Sequence, residues 1–256
     1  MADRKTALIT GASAGLGAEF ARQLAGKGFH LVLVARRRDK LEALADELRA
    51  QTGVEVMVLS ADLAEPDAPQ TLAAALAEAG QSIDYLVNNA GAAGPDLLED
   101  RDWQEHRRYL ELMMTSVAHM CHLFIPPMRE RGWGRVINVA SVAGRVTRAG
   151  DTNYGPAKAY VIALSEGLAA TLKGSGVNVS ALCPGFTHTE FHDVGGLQDM
   201  KADSPAILWY DADVVVREGI DAVERGRAIQ VSGRIYRALD PLMQSVWTRP
   251  LFRLSR

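Results

Sequence analysis

Thr6-Ala7-Leu8-Ile9-Thr10-Gly11-Ala12-Ser13-Ala14-Gly15-Leu16-Gly17 opens as a short apolar run and closes in a glycine turn, after which Phe20, Leu24 and Ala25 recur at helical spacing. An apolar run bounded by glycines reads as a buried strand, so the pattern is strand, glycine turn, helix. Glycines in such a turn let the backbone approach a pyrophosphate seated on the positive N-terminus of the helix. Gly11, Ser13, Gly15, Leu16 and Gly17 are therefore candidate contacts for a dinucleotide. The spacing is G-x-x-x-G-x-G, a relative of the G-x-G-x-x-G fingerprint, and a tight structural turn is the alternative.

Working outward, the alternation repeats. A strand, Phe29 to Ala35, runs into Arg36-Arg37-Arg38, and a helix through Leu41, Leu44, Ala45 and Leu48 leads to Gly53 and a strand from Val54 to Ser60. A helix from Thr71 to Ala79 and a strand from Ile83 to Asn88 follow. Four strands with helices between them predict a parallel sheet covered on both faces, an α/β doubly wound architecture. The position about 20 residues past the glycines is where an acid would bond the ribose 2′-OH of NAD. An acid there would repel a 2′-phosphate, whereas a guanidinium grips one with paired donors. Arg36 and Arg37 thus favour NADP(H) over NAD(H), with Arg38 assigned to the start of a solvated helix. Asp62, followed by Leu63 at the end of the third strand, either reads an adenine amino group or caps the next turn.

The chain has 256 residues, 48% of them hydrophobic and 23% charged, with a formal net charge of -3. That balance fits a single folded domain with a large core and has no basic excess directed at nucleic acid. A strand beginning at Thr6 leaves no room for a secretory signal, and two cysteines, Cys121 and Cys183, make no disulfide framework, so a cytoplasmic location is expected. The longest apolar stretch, Leu110 to Met128, carries Glu111, His119, His122 and Pro126-Pro127, which argues against a membrane span. His188 and His192 flank Glu190, but no third ligand is evident and no metal is assigned.

Tyr154 and Lys158 lie four residues apart, so on a helix they share a face. A neighbouring ammonium favours phenolate and would bring the Tyr154 pKa down, making the pair an acid or base. Pro156 is tolerated in the first turn of a helix, which puts Tyr154 at a helix start. Ser141, at the carboxyl end of the strand from Arg135 to Ala140, is separated from Tyr154 by a loop able to bring hydroxyl and phenol together. Ser141 would hold the substrate oxygen and Tyr154 would move its proton.

Thr10-Gly11-Ala-Ser-Ala-Gly15-Leu-Gly17, Asn88-Asn89-Ala90-Gly91, Asn138-Val139-Ala140-Ser141, Tyr154-x-x-x-Lys158 and Cys183-Pro184-Gly185 stand in an order and spacing that resembles the short-chain dehydrogenase/reductase family, in its 3-oxoacyl reductase-like branch. The resemblance runs from about residue 5 to about residue 190. It implies a three-layer Rossmann fold with a mostly or fully parallel sheet of about seven strands, and NAD(P)-dependent redox chemistry on an alcohol or carbonyl. It implies that Asn89, Ala90 and Gly91 line the adenosine side of the cofactor and brace the sheet. Pro184, Gly185, Thr187 and Thr189 would flank the nicotinamide and its phosphates, and Tyr154 and Lys158 would also contact the cofactor, Lys158 at the nicotinamide ribose. The family's fourth catalytic position, an Asn, corresponds here to Met113, whose thioether cannot hold a proton relay as an amide does.

Residues 188–210 mix charges with Ile207, Leu208, Trp209 and Tyr210 and read as a substrate lid. The stretch 234–256 has five arginines and one acid, with Leu239, Leu242, Met243, Val246 and Trp247 at helical spacing. This basic amphipathic tail is expected to pack on its own domain or across a subunit interface rather than on a membrane surface. The expected partners are a small-molecule substrate of medium size and the subunits of a homodimer or homotetramer, the latter by the resemblance. A nucleotide-binding regulator or scaffold with weak turnover is the alternative that Met113 raises.

Overall fold

The computed structural model describes residues 4–189 and 205–248. Strands and helices alternate as β1 (Thr6–Thr10), α1 (Gly15–Gly26), β2 (His30–Ala35), α2 (Arg38–Thr52), β3 (Val56–Ser60), α3 (Ala68–Glu78), β4 (Tyr85–Asn88), α4 (Trp103–Leu110), α5 (Ser116–Glu130), β5 (Gly134–Val139), α6 (Tyr154–Thr171) and β6 (Val177–Cys183). Then come the short β7 (Phe186–Thr187) and β8 (Trp209–Tyr210), α7 (Ala212–Glu224), β9 (Ile229–Val231) and α8 (Arg234–Gln244).

Seven strands form one parallel sheet in the order β3-β2-β1-β4-β5-β6-β9. Successive side chains of a strand point to opposite faces, and here both faces are covered. Ala7 and Ile9 pack with α1, α2 and α7 through Phe20, Leu24, Leu41 and Val216. Leu8, between them, packs on the other side with α3 and α5 through Leu72, Leu76, Met120 and Phe124. The chain crosses from β3 to β4 over β1, so the strand order reverses between β1 and β4, and the crevice outside their carboxyl ends is where such sheets bind ligands.

Two strands are shorter than their apolar runs. Val54 and Ile83 are buried, yet the ladders begin at Val56, opposite Leu31, and at Tyr85, opposite Ala7. Burial extends beyond hydrogen-bonded pairing at both strand starts. The helical pattern from Asp102 to Met128 is broken as well. Glu111–Thr115 is π-helical and Ser116 donates its N–H back to the Glu111 carbonyl, a local widening that often marks a functional position.

The tail departs from its expected form. α8 ends at Gln244 because Ser245 turns to an extended conformation, so Val246 and Trp247 do not continue its apolar face and are largely exposed. Among the tail's described apolar residues only Met243 is buried. No helix among the described residues is long and apolar enough to cross a membrane. Glu190, His192 and most of the expected lid lie outside the described residues.

Candidate active site

The glycine turn is built for close approach. Gly11 and Gly15 have φ of +66° and +55°, a region that glycine enters without strain. A Cβ on Gly17 would lie 2.2 Å from the Gly11 carbonyl oxygen and 2.6 Å from Asn89 Nδ2, so α1 can meet the turn only through glycine. Asn89 braces the turn by donating from Nδ2 to the carbonyls of Thr10 (3.0 Å) and Gly11 (3.3 Å). The Thr10 hydroxyl accepts the N–H groups of Asn89 (2.9 Å) and Ala90 (3.0 Å).

Ala14, at the N-cap of α1, offers no side-chain acceptor, and the first turn holds no acid, which leaves a positive helix end suited to an anion. Arg37 lies over this turn, with Nε and a terminal nitrogen 3.3 and 3.1 Å from Ser13 Oγ. Arg36 is exposed and its carbonyl accepts the Ser60 hydroxyl, while Arg38 pairs with Glu42 on its own helix. Cradle and positive helix end together could hold the pyrophosphate of a dinucleotide.

Asp62 follows β3, and of its two expected roles it takes the turn cap here: Oδ1 accepts the Ala64 N–H at 3.1 Å. Its Oδ2 accepts from Arg108 of α4 at 3.0 Å. The Leu63 side chain is buried in the core under α3 and α5. A Cβ on Gly15 would lie 3.3 Å from Thr189 Cβ, so the chain after β6 closes over the glycine turn.

Ser141 leaves β5 in extended conformation and its Oγ accepts the Ala143 N–H at 3.1 Å, opening a 3-10 turn over Val142–Arg145. This turn lies directly on α6: a Cβ on Gly144 would come within 2.6 Å of the Lys158 backbone. That contact brings Ser141 to Tyr154, whose phenol it hydrogen-bonds. Tyr154 is the first residue of α6, and Asp151 Oδ1 accepts the Gly155 N–H at 2.8 Å to cap the helix. Lys158, one turn on, is buried, donates from Nζ to the Val139 carbonyl at 2.7 Å, and lies 5.7 Å from the centre of the Tyr154 ring.

Burial dominates the titration of both groups. It pushes the Tyr154 phenol up to about 12, with the Ser141 hydrogen bond opposing and Asp151 adding, and it brings the Lys158 ammonium down to about 8. In this arrangement the phenol keeps its proton at neutral pH, and the Lys158 ammonium is directed at a backbone carbonyl. The downward pull of Lys158 on Tyr154 expected from their spacing does not act here: burial, Ser141 and Asp151 set the phenol's shift.

Met113 lies in the π-helical segment and is buried; its Sδ accepts the Ala92 N–H at 3.4 Å. A Cβ on Gly91 would lie 3.3 Å from that sulfur and 3.8 Å from Lys158 Nζ. The thioether therefore braces the segment after β4 beside the lysine. On the other wall, Pro184 accepts the Val142 N–H at 2.9 Å and Gly185 lies under Tyr236, where a Cβ would sit 2.0 Å from the ring. Tyr236 Oη accepts the Phe186 N–H (3.4 Å) and donates to the Leu208 carbonyl (3.2 Å), tying α8 to β7 just ahead of the expected lid and to a residue near its end. Thr187 is buried and donates to the Gly185 carbonyl at 3.1 Å, and Trp209 stacks between Phe186 and His188 with centroids 5.1 Å from each.

The sequence reading did not single out Asp151, Arg145 or Asp240. An acid just ahead of an apolar helix is a start signal that finds Asp151. The Arg145–Asp240 pair joins residues far apart in the chain, and no local pattern announces it.

The model of the short chain dehydrogenase family matches residues 5–196. The 3-oxoacyl-[acyl-carrier-protein] reductase FabG of Staphylococcus aureus is 34% identical over 242 residues, covering 91% of this chain and 98% of that one. A short-chain dehydrogenase from Sphingobium yanoikuyae, solved in complex with NADPH, superposes with a TM-score of 0.81 at 33% identity, covering 94% of each chain. A short chain dehydrogenase/reductase from Burkholderia phymatum, solved in complex with NAD, gives a TM-score of 0.84 at 27% identity, covering 98% of this chain and 96% of that one. With the family model matched over residues 5–196 and Ser141, Tyr154 and Lys158 gathered at one end of the sheet, the chain belongs to the short-chain dehydrogenase family.

Proposed function

We propose that the protein is an NADP(H)-dependent oxidoreductase acting on a carbonyl or secondary alcohol of a medium-sized, apolar substrate. The observation that carries this reading is the convergence of Ser141, Tyr154 and Lys158 beside the glycine cradle. The nicotinamide, when bound, supplies or accepts the hydride. Ser141 holds and polarises the substrate oxygen. Tyr154, protonated at neutral pH, gives its proton to the oxygen as negative charge develops there, and takes one back in the reverse direction. Lys158 supplies the nearby positive charge that stabilises the resulting phenolate. Gly11, Ser13, Gly15 and Gly17 cradle the pyrophosphate, and Arg37, with Arg36 beside it, grips the 2′-phosphate.

Support for NADP(H) comes from Arg37 over Ser13 and from the NADPH bound to the Sphingobium relative. The apolar substrate is inferred from Ile207, Leu208, Trp209 and Tyr210 in the expected lid. Met113 is the feature that favours a nucleotide-binding regulator or scaffold with weak turnover, but its sulfur has a bracing role of its own and displaces none of the three reactive side chains.

A panel of ketones, aldehydes and secondary alcohols assayed with NADPH and NADH in parallel tests the reading. Turnover with NADPH above NADH is expected, and Tyr154→Phe should lower kcat by roughly 1,000-fold while NADPH still binds. No turnover of any panel member, with NADPH bound equally by both proteins, would make the chain a nucleotide-binding protein instead.

A further inference from the structure

The residue before the reactive tyrosine is Asn153, at the N-cap position of α6. Asparagine is favoured there because its side chain can cap the helix. Here it makes no such bond, and Asp151 does the capping. The Asn153 side chain is buried and turned away from its helix, and both protons of Nδ2 are spent elsewhere: one on the Pro95 carbonyl at 2.7 Å, the other on His106 Nδ1 at 2.9 Å. Flipping the amide would set its oxygen against the Pro95 oxygen, so the orientation is fixed by the partners. His106 Nδ1 is therefore an acceptor, and the ring's proton lies on Nε2, which donates to the Asp100 carbonyl at 3.0 Å. His106 is buried on α4 under the stacked ring of Trp103, with centroids 5.7 Å apart. One residue earlier, Thr152 Oγ1 accepts the Leu97 N–H at 2.8 Å.

These four hydrogen bonds, two of them direct and two relayed through His106, hook the segment Pro95–Asp102 to the two residues that precede Tyr154. The segment follows β4, so it stands at the carboxyl end of the sheet, and it presents Leu97 and Leu98 to solvent. Four bonds, three of them on one loop and two from a buried amide with no role in its own helix, are more than helix capping requires.

We infer that Asn153 and His106 are positioning residues that lock the Pro95–Asp102 segment and the Tyr154 phenol into one unit, holding the apolar wall beside the site at a fixed distance from the proton donor. This rests on Tyr154 acting as the acid or base proposed above. Neither residue touches the reacting atoms. Their effect passes through the angle at which α6 begins and through the place of the wall.

Asn153→Asp tests the inference, since it keeps shape and volume and removes both donated protons. NADPH affinity, followed by fluorescence, should stay within about twofold of native, while kcat on the best panel substrate falls roughly 10- to 100-fold, as expected for a misplaced reacting group. His106→Leu should reproduce that loss. His106→Asn, whose Oδ1 stands near the original Nδ1, should recover most of it, a rescue that loss of folding would not give.

Amide hydrogen exchange supplies a readout that does not need turnover: in Asn153→Asp, exchange across residues 95–102 and 151–156 should rise together. An Asn153→Asp protein with native kcat, or with exchange raised in one segment and not the other, would overturn the inference. A native protein with no turnover but the joint rise in exchange would sink the proposed reaction and leave the coupling standing.

Discussion

The two halves of the molecule hold their ligand walls in different ways. On the nucleotide side, the glycine turn is held by backbone geometry and near neighbours: Thr10 ends β1 and Asn89 directly follows the adjacent β4, and Gly17 is glycine because the Gly11 carbonyl is where a Cβ would be. On the substrate side, the walls are held by side chains from distant elements. Asn153 reaches Pro95 and His106, Arg145 reaches Asp240 of α8, and Tyr236 reaches Leu208 and lies on Gly185. A wall made of backbone is hard to alter without losing the fold, whereas a wall pinned by long side chains can be re-aimed by single substitutions. The nucleotide side should therefore fail abruptly when changed, and the substrate side by degrees.

The sharpest break is expected at Gly17→Ala. A methyl group 2.2 Å from a carbonyl oxygen forces either the turn or α1 to move, and overpacking of this kind costs about 3 kcal/mol. Urea unfolding should show that loss of stability, and NADPH binding should disappear with it. A Gly17→Ala protein with native stability and native NADPH affinity would show that the turn yields, and the contrast between the halves would be lost.

Lys158→Met examines the junction of the two halves and should have the opposite sign. Burial lowers the lysine from its ordinary 10.5 to about 8, so the charged form is disfavoured in the folded protein relative to the unfolded chain. A folded pKa held below the unfolded one means that stability is lost as pH falls through about 8 and is regained as pH rises towards 10.5. Methionine escapes that penalty but gives up the bond to Val139. Net stabilisation of roughly 2 kcal/mol is expected at pH 7, shrinking as pH rises through that interval, together with loss of turnover. A difference between variant and native in urea midpoints that stays constant from pH 7 to pH 10.5 would show that the lysine is not held in a low-pKa site.

What the sequence disclosed follows the same division. The strand, glycine turn and helix at Thr6–Gly26 are local in the chain, so spacing and periodicity reveal them, and the alternation that follows leads to a parallel sheet. The tyrosine and lysine share one helix and were visible for the same reason. The Met113–Ala92 contact depends on a π-helical segment that no residue pattern marks, and the Asn153–His106 bond joins residues 47 positions apart. At Lys158 and Tyr154 the spacing revealed the pair but not the balance between them, because desolvation depends on what three-dimensional packing places around each group.

Arg37→Asp probes cofactor choice at the edge of the nucleotide side. Charge-assisted pairing with a phosphate contributes about 2 kcal/mol, so NADPH affinity should fall roughly 10- to 100-fold while NADH affinity changes little. Arg36→Asp should have the smaller effect, since Arg37 already lies against Ser13. Equal losses for the two cofactors would move the 2′-phosphate contact away from this arginine.

The smallest effect is expected on the substrate side, at Asp240→Asn. The Arg145 and Asp240 side chains are 11% and 18% exposed, and the terminal nitrogen of Arg145 stands 2.7 Å from Asp240 Oδ2. Gln244 adds a bond from Nε2 to the Arg145 carbonyl at 2.7 Å, so α8 holds the far end of the turn that Ser141 begins. Asparagine still accepts one of the two guanidinium bonds but removes the charge, which should cost about 1 kcal/mol. Because the turn is pinned at Arg145 and its other end is fixed by β5, the loss should tilt the Ser141 hydroxyl without releasing it. KM for the carbonyl substrate should rise about three- to tenfold, with NADPH affinity unchanged. If NADPH affinity falls in parallel with KM, α8 serves both halves, and graded failure is not a property of the substrate side alone.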